Sequence, residues 1–194
     1  MFIKQNVLER LLKEAYKGSG LHIAHTISDT DEPIYVIASG RWVIWVGKEW
    51  LTKEAKAAII KLCGDLPSIG EGYRAVKDYD NQYEIESKYD AALAGYGKCG
   101  QEVRKTKLSI NSGISVLQSP TGEIYYIDKR ILDMVVYSSI DTEEGEREPV
   151  GPYLSEDKRA LYWRNNVCTV MICLMEIPET ELEFWNQVKR LIVI

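Results

Sequence analysis

The run Val167–Met175 is apolar on both of the faces that an extended chain presents. A strand of that kind needs cover on two sides, so it predicts a position deep inside a sheet rather than at its rim. It is the most apolar stretch of the chain, and it is of strand length, well short of the roughly 20 residues that span a bilayer. A second run, Arg41-Trp42-Val43-Ile44-Trp45-Val46, has the same character. Trp42, Ile44 and Val46 share one face, and Val43 and Trp45 share the other. Packing on both sides is the first reading, and a partner hot spot or base-stacking platform is the alternative.

Around these strands the pattern alternates between sheet and helix. Val7, Leu8, Leu11, Leu12 and Ala15 recur at helical spacing, with Arg10, Lys13 and Lys17 as a basic stripe on another face. Strand-like runs follow at Leu21–Ile27, Ile34–Ala38 and Trp42–Val46. Thr52 then caps a helix closed by Gly64, with Lys53, Lys56 and Lys61 on its exposed side. A hairpin is expected across Asp80-Asn81. Further on, Ser109–Gln118 and Glu123–Ile127 read as strands, Asp128 caps a short helix through Val136, and Asn165-Asn166 turns a last hairpin.

The predicted fold is α+β, in two similar sheet-plus-helix halves. The boundaries are residues 1–87, a glycine-rich basic connector at 88–107, a second half at 108–177 and an amphipathic C-terminal helix at 178–194. On that helix Leu182, Trp185, Val188 and Ile192 lie on one side.

Charge is divided unevenly over the 194 residues. Met1 to Ile140 carries 18 basic and 18 acidic residues, whereas Asp141 to Ile194 carries 6 and 11, which accounts for the net charge of −5. The acidic run Asp141–Glu148 includes Glu143, Glu144 and Glu146 and reads as a solvated loop or as an acidic docking surface. Met1-Phe2-Ile3-Lys4 leads into a charged amphipathic segment rather than an apolar signal core, so the expected location is cytoplasmic, with no membrane partner. The four cysteines lack framework spacing and read as reduced, packed thiols.

Catalytic signatures are weak. Gly95-Tyr96-Gly97-Lys98-Cys99-Gly100 has dinucleotide-type glycine spacing, but it lacks the preceding strand and following helix that such chemistry needs. His22 and His25 fall on opposite strand faces, as do Cys168 and Cys173, so neither pair predicts a metal site. No cofactor and no catalytic residue is assigned.

Phe2-Ile3-Lys4 followed by Val7–Lys17 resembles the start of a bacterial DNA polymerase sliding-clamp domain. Ile124–Asp133 resembles the clamp strand that leads into a leucine-aspartate helix. Arg159–Arg164 with Cys168–Pro178 resembles its final hairpin. The chain has room for two reduced repeats rather than three, and it runs past the point where the clamp pattern ends. It also resembles, in size and flavour, small accessory proteins of phages infecting Gram-positive bacteria.

The resemblance implies a non-enzymatic, clamp-like protein acting on DNA or the replication machinery, as a homo-oligomer (trimer or dimer). Arg10, Lys13, Lys17, Lys53, Lys56, Lys129 and Arg130 would then face the DNA backbone. The rival expectation is an acidic phage inhibitor of a DNA-acting host protein, such as a defence nuclease of the CRISPR type. It would use Glu143, Glu144 and Glu146 as a nucleic-acid mimic, with Trp185 and Leu191 as apolar anchors.

Overall fold

The computed structural model describes residues 2–84, 90–98, 100–110, 112–136 and 145–176. The fold is α+β and mostly antiparallel. The chain runs through α1 (Gln5–Lys17), β1 (Leu21–Ile27), β2 (Pro33–Ser39), β3 (Trp42–Gly47), α2 (Lys53–Cys63), β4 (Glu71–Ala75) and β5 (Gln82–Glu84). It continues with α3 (Asp90–Gly95), β6 (Gln101–Glu102), β7 (Arg104–Ile110), β8 (Ile114–Gln118), β9 (Ile124–Asp128), α4 (Lys129–Leu132), β10 (Val150–Leu154), β11 (Ala160–Arg164) and β12 (Cys168–Cys173).

Nine strands form one sheet in the order β5-β4-β1-β2-β3-β12-β11-β10-β6, and β7-β8-β9 form a second sheet. The two doubly apolar runs are neighbours at the centre of the large sheet, with Ile44 opposite Val170 and Trp42 opposite Ile172. Each therefore supplies the other with backbone partners while both faces stay covered. The seam joins segments of the expected first and second halves into a continuous ladder. The stretch expected as a connector carries α3, β6 and the start of β7.

One face of the large sheet packs against α1, α2 and α4. Leu8, Leu11, Leu12 and Ala15 of α1, Ala55 and Ile59 of α2, and Ile131 and Leu132 of α4 bury against Leu21, Ile23, Ile37, Trp42, Ile44, Trp163 and Val170. Leu117, Tyr125 and Ile127 of the small sheet enter the same core. On the opposite face, Val36, Ala38, Val43 and Trp45 pack with Ala92 and Leu93 of α3. The alternation in Trp42–Val46 is thus used on both sides, as packing.

α2 begins and ends where local chemistry requires. Thr52 Oγ1 accepts the Ala55 amide at 3.1 Å, and Gly64 closes α2 at φ 89°, a left-handed value that favours glycine. The segment before α1 pairs with the segment after α4: Ile3 bridges Val135, and the Lys4 amide donates to Met134 O at 2.8 Å. The predicted single strand Ser109–Gln118 is instead split by a turn at Ser112-Gly113 into β7 and β8, with the Gly113 amide donating to Ile110 O. No helix among the described residues is long and apolar enough to cross a membrane.

Candidate functional site

The basic faces predicted on α1 and α2, and the basic residues of α4, lie on one side of the large sheet, because the apolar faces of those helices enter the same core. On α1 the polar side exposes Arg10, Lys13 and Lys17. On α2, Lys53 is exposed and Lys56 is half-buried. The two helices are tied at their starts: Thr52 Oγ1 donates to Gln5 Oε1 at 2.9 Å while it caps α2. Lys13, Lys17, Lys53 and Lys56 form no ion pair among the described residues, so their ammonium groups face solvent without a carboxylate to neutralise them.

A tighter arrangement forms where α1 meets α4. Asp128 ends β9 and caps α4, accepting the Arg130 amide at 2.9 Å. The same carboxylate takes the Arg130 side chain in a fork, Nε on Oδ1 at 3.2 Å and Nη2 on Oδ2 at 2.8 Å. Arg41, from the turn between β2 and β3, approaches Oδ2 through Nη1 at 3.7 Å. Arg10 Nη2 donates to the carbonyl of Arg130 at 2.8 Å and lies 3.7 Å, through Nε, from Glu14. Two guanidinium groups, those of Arg130 and Arg41, thus meet one buried carboxylate, and a third, Arg10, is held beside them on the Arg130 backbone.

The electrostatics favour fixed charges. Burial alone would raise the Asp128 pKa, but the hydrogen bonds and charge of Arg130, helped by Arg41, outweigh it and hold the carboxyl below its usual range. The Asp128 side chain is only 8% exposed, whereas those of Arg41 and Arg130 are 61% and 62% exposed. Their far edges therefore remain available to solvent. Alongside them lies a cleft of about 400 Å³ lined in part by Glu14, Ser19, Ser39, Arg41, Trp42 and Arg130. Guanidinium groups steadied from behind by a carboxylate are suited to anions with several acceptor oxygens, such as phosphate.

The expected site residues have mixed fates. Arg10 and Arg130 are brought together, while Lys129 is engaged with Asp133 at 2.7 Å. Arg41 was not anticipated. Its only sequence signal is a basic residue directly after the Ser39-Gly40 turn.

Glu146 departs from expectation. It is buried, and its Oε1 accepts Asn165 Nδ2 at 2.8 Å. The Asn165-Asn166 turn also takes the Arg147 amide on Asn166 Oδ1 and donates to Gly145 O, so it draws this part of the acidic run inward. Glu143, Glu144, Trp185 and Leu191 lie outside the described residues.

Among the described residues no three His, Cys, Asp or Glu side chains gather as a metal site. β1 places His22 half-buried and His25 buried, on alternating positions. Tyr96 of the glycine-rich segment lies under the Arg164 guanidinium, 5.0 Å from its ring centroid.

Comparison with protein-family models, with curated proteins and with solved structures found no match for this chain.

Proposed function

We propose that this chain is a non-enzymatic, clamp-like protein that binds the backbone of duplex DNA through the outer side of its helical layer. The observation that carries the reading is the gathering of Arg10, Arg41 and Arg130 at the contact of α1 with α4. Lys13, Lys17, Lys53 and Lys56 extend the positive surface along α1 and α2. Contacts of this kind hold phosphates without reading base sequence.

The clamp-like part of the proposal draws support from a recurring order of elements. A bridge residue, Ile3, precedes α1 and β1–β3, and β9 precedes α4 and β10–β12. The final strands of the two series, β3 and β12, pair with each other. Two such units per chain fit a homo-oligomeric ring or partial ring, a trimer or a dimer. The acidic-inhibitor alternative is less well supported, since Glu146 is occupied in the interior.

The test is duplex binding followed over a salt series, comparing the protein with a Lys13→Glu, Lys17→Glu, Lys53→Glu variant. These side chains are solvent-facing and unpaired among the described residues, so the fold should survive. The variant is expected to lose affinity and to show a shallower salt dependence. Equal affinity and equal slope would overturn the proposal.

A further inference from the structure

We infer that β7 is a second phosphate-contact strip, continuous with the helical layer, so that the duplex is held by the small sheet as well as by the helices. The inference rests on the proposed backbone-binding reading. Arg104, Lys105 and Lys107 are all exposed on β7, and none is ion-paired among the described residues. The strand itself carries no acid; Glu102, exposed just before it, is the nearest in sequence.

Two features distinguish this strip from a scatter of surface lysines. Among the described residues β7 is an edge strand, paired only with β8, and its register shifts between Lys105 and Ser109. The shift falls just past Lys105, and Arg104, Lys105 and Lys107, three cations in four residues, all reach solvent. At about 3.3 Å per residue, Arg104 to Lys107 spans about 10 Å, the axial rise of about three phosphates along one DNA strand.

The second feature is continuity. The β7–β8 turn is joined to α4 by the Lys129 amide, which donates to Gly113 O at 2.9 Å. Ile110, Ile114 and Asp128 are opposite one another across the three strands, so the Ile110 end of β7 lies about 10 Å from Asp128, and Lys107 to Arg104 follow about 10 to 20 Å further along the strand. That reach corresponds to about three to six base pairs of duplex, so one duplex can contact both. β7 has no aromatic residue on which a base could stack, which favours duplex backbone over single strands.

A basic edge also deters strand-to-strand aggregation, and the experiment separates the two roles. Binding of a mixed-sequence DNA duplex to the full chain is measured by fluorescence anisotropy from low to moderate salt. The protein is compared with an Arg104→Gln, Lys105→Gln, Lys107→Gln variant and with the helix variant Lys13→Glu, Lys17→Glu, Lys53→Glu. The strip variant is expected to keep its melting temperature. Its log-affinity against log-salt slope should flatten by about 2 to 3, with affinity down on the order of a hundredfold at low salt.

If the strip variant binds with unchanged slope while the helix variant fails, β7 is an edge guard only and the inference falls alone. No duplex binding by the parent protein overturns both readings. Polyglutamate bound as tightly as the duplex, and lost in the strip variant, assigns the strip to an acidic protein instead and overturns it.

Discussion

Arg10 and Arg130, which stand 120 positions apart in the chain, are joined by a 2.8 Å hydrogen bond from the Arg10 guanidinium to the Arg130 carbonyl. That bond uses the backbone of α4, so it locates the Arg130 side chain without consuming it. The Arg130 fork is then held by Asp128. α1, α4 and the carboxylate at the end of β9 act as one unit, and its stability is open to test.

Asp128→Ala removes the cap of α4 and the partner of two arginines. A lost cap costs about 1 kcal/mol, and a buried partner withdrawn from a charged hydrogen bond adds about 1 to 3 kcal/mol. Chemical denaturation should therefore show a loss of roughly 2 to 4 kcal/mol. A loss under about 0.5 kcal/mol would mean that the cluster is not a stabilising unit.

Two groups predict the acid side of the stability profile. His25 is buried, its Nδ1 lies 3.1 Å from Pro67 O, and its ring stacks on Tyr35 at 4.3 Å. Burial lowers its pKa below 6.5; the Pro67 contact acts upward, and nearby Lys48 acts downward. The unfolded chain therefore takes up the proton first, and stability should fall as pH drops below about 6.5. Thermal melts between pH 8 and 5 should show this fall, and a His25→Phe variant should flatten it. For Asp128 the lowered pKa places a further loss below its ordinary 3.8.

The central seam should behave as core. Ile44 is fully buried and faces Val170 across β3 and β12. Ile44→Ala should cost about 2 to 5 kcal/mol in denaturant unfolding. A cost below about 1 kcal/mol would show that the two strands do not share a close-packed interior.

Thiol chemistry should be quiet at the described sites. Burial pushes the Cys63 thiol up to about 11, even though a hydrogen bond with Tyr73 acts downward. Cys168 is buried and also raised, again chiefly by burial. Little thiolate is then present near neutral pH. Mass mapping after brief iodoacetamide treatment of the native protein should find both unmodified, and rapid labelling of either would contradict the packing.

Much of the central architecture was legible because period-two patterns and cap residues are local signals. Leu21–Ile27 is a strand with the expected bounds, and Thr52 and Gly64 delimit α2 as read. Elements lacking such signals were missed. β10 holds Gly151 and Pro152, which argue against a strand, yet the sheet recruits it between β6 and β11. α4 stops at Leu132 although its apolar spacing continues, because the following segment bonds to the strand-like residues Phe2 and Lys4 instead.

The candidate site was half legible. Arg10 is legible from the helical stripe of α1, and Arg130 from the resemblance of Ile124–Asp133 to a clamp strand and helix. Arg41 joins them only through the β2–β3 turn, whose Arg41 carbonyl accepts the Cys173 amide at 2.8 Å. No periodicity in the sequence reports a tertiary contact of that kind. The inward turn of Glu146 was hidden for the same reason, since its partner Asn165 lies 19 residues away.

Amide hydrogen exchange with and without a mixed-sequence DNA duplex addresses the central claim most directly, since it maps the contact surface residue range by residue range. A duplex held on the helical layer should slow exchange in α1, α2, α4 and the Ser39–Arg41 turn, and the effect should weaken as salt is raised. Slowed exchange confined to α3 and the opposite face of the large sheet, or none at any salt concentration, would contradict it.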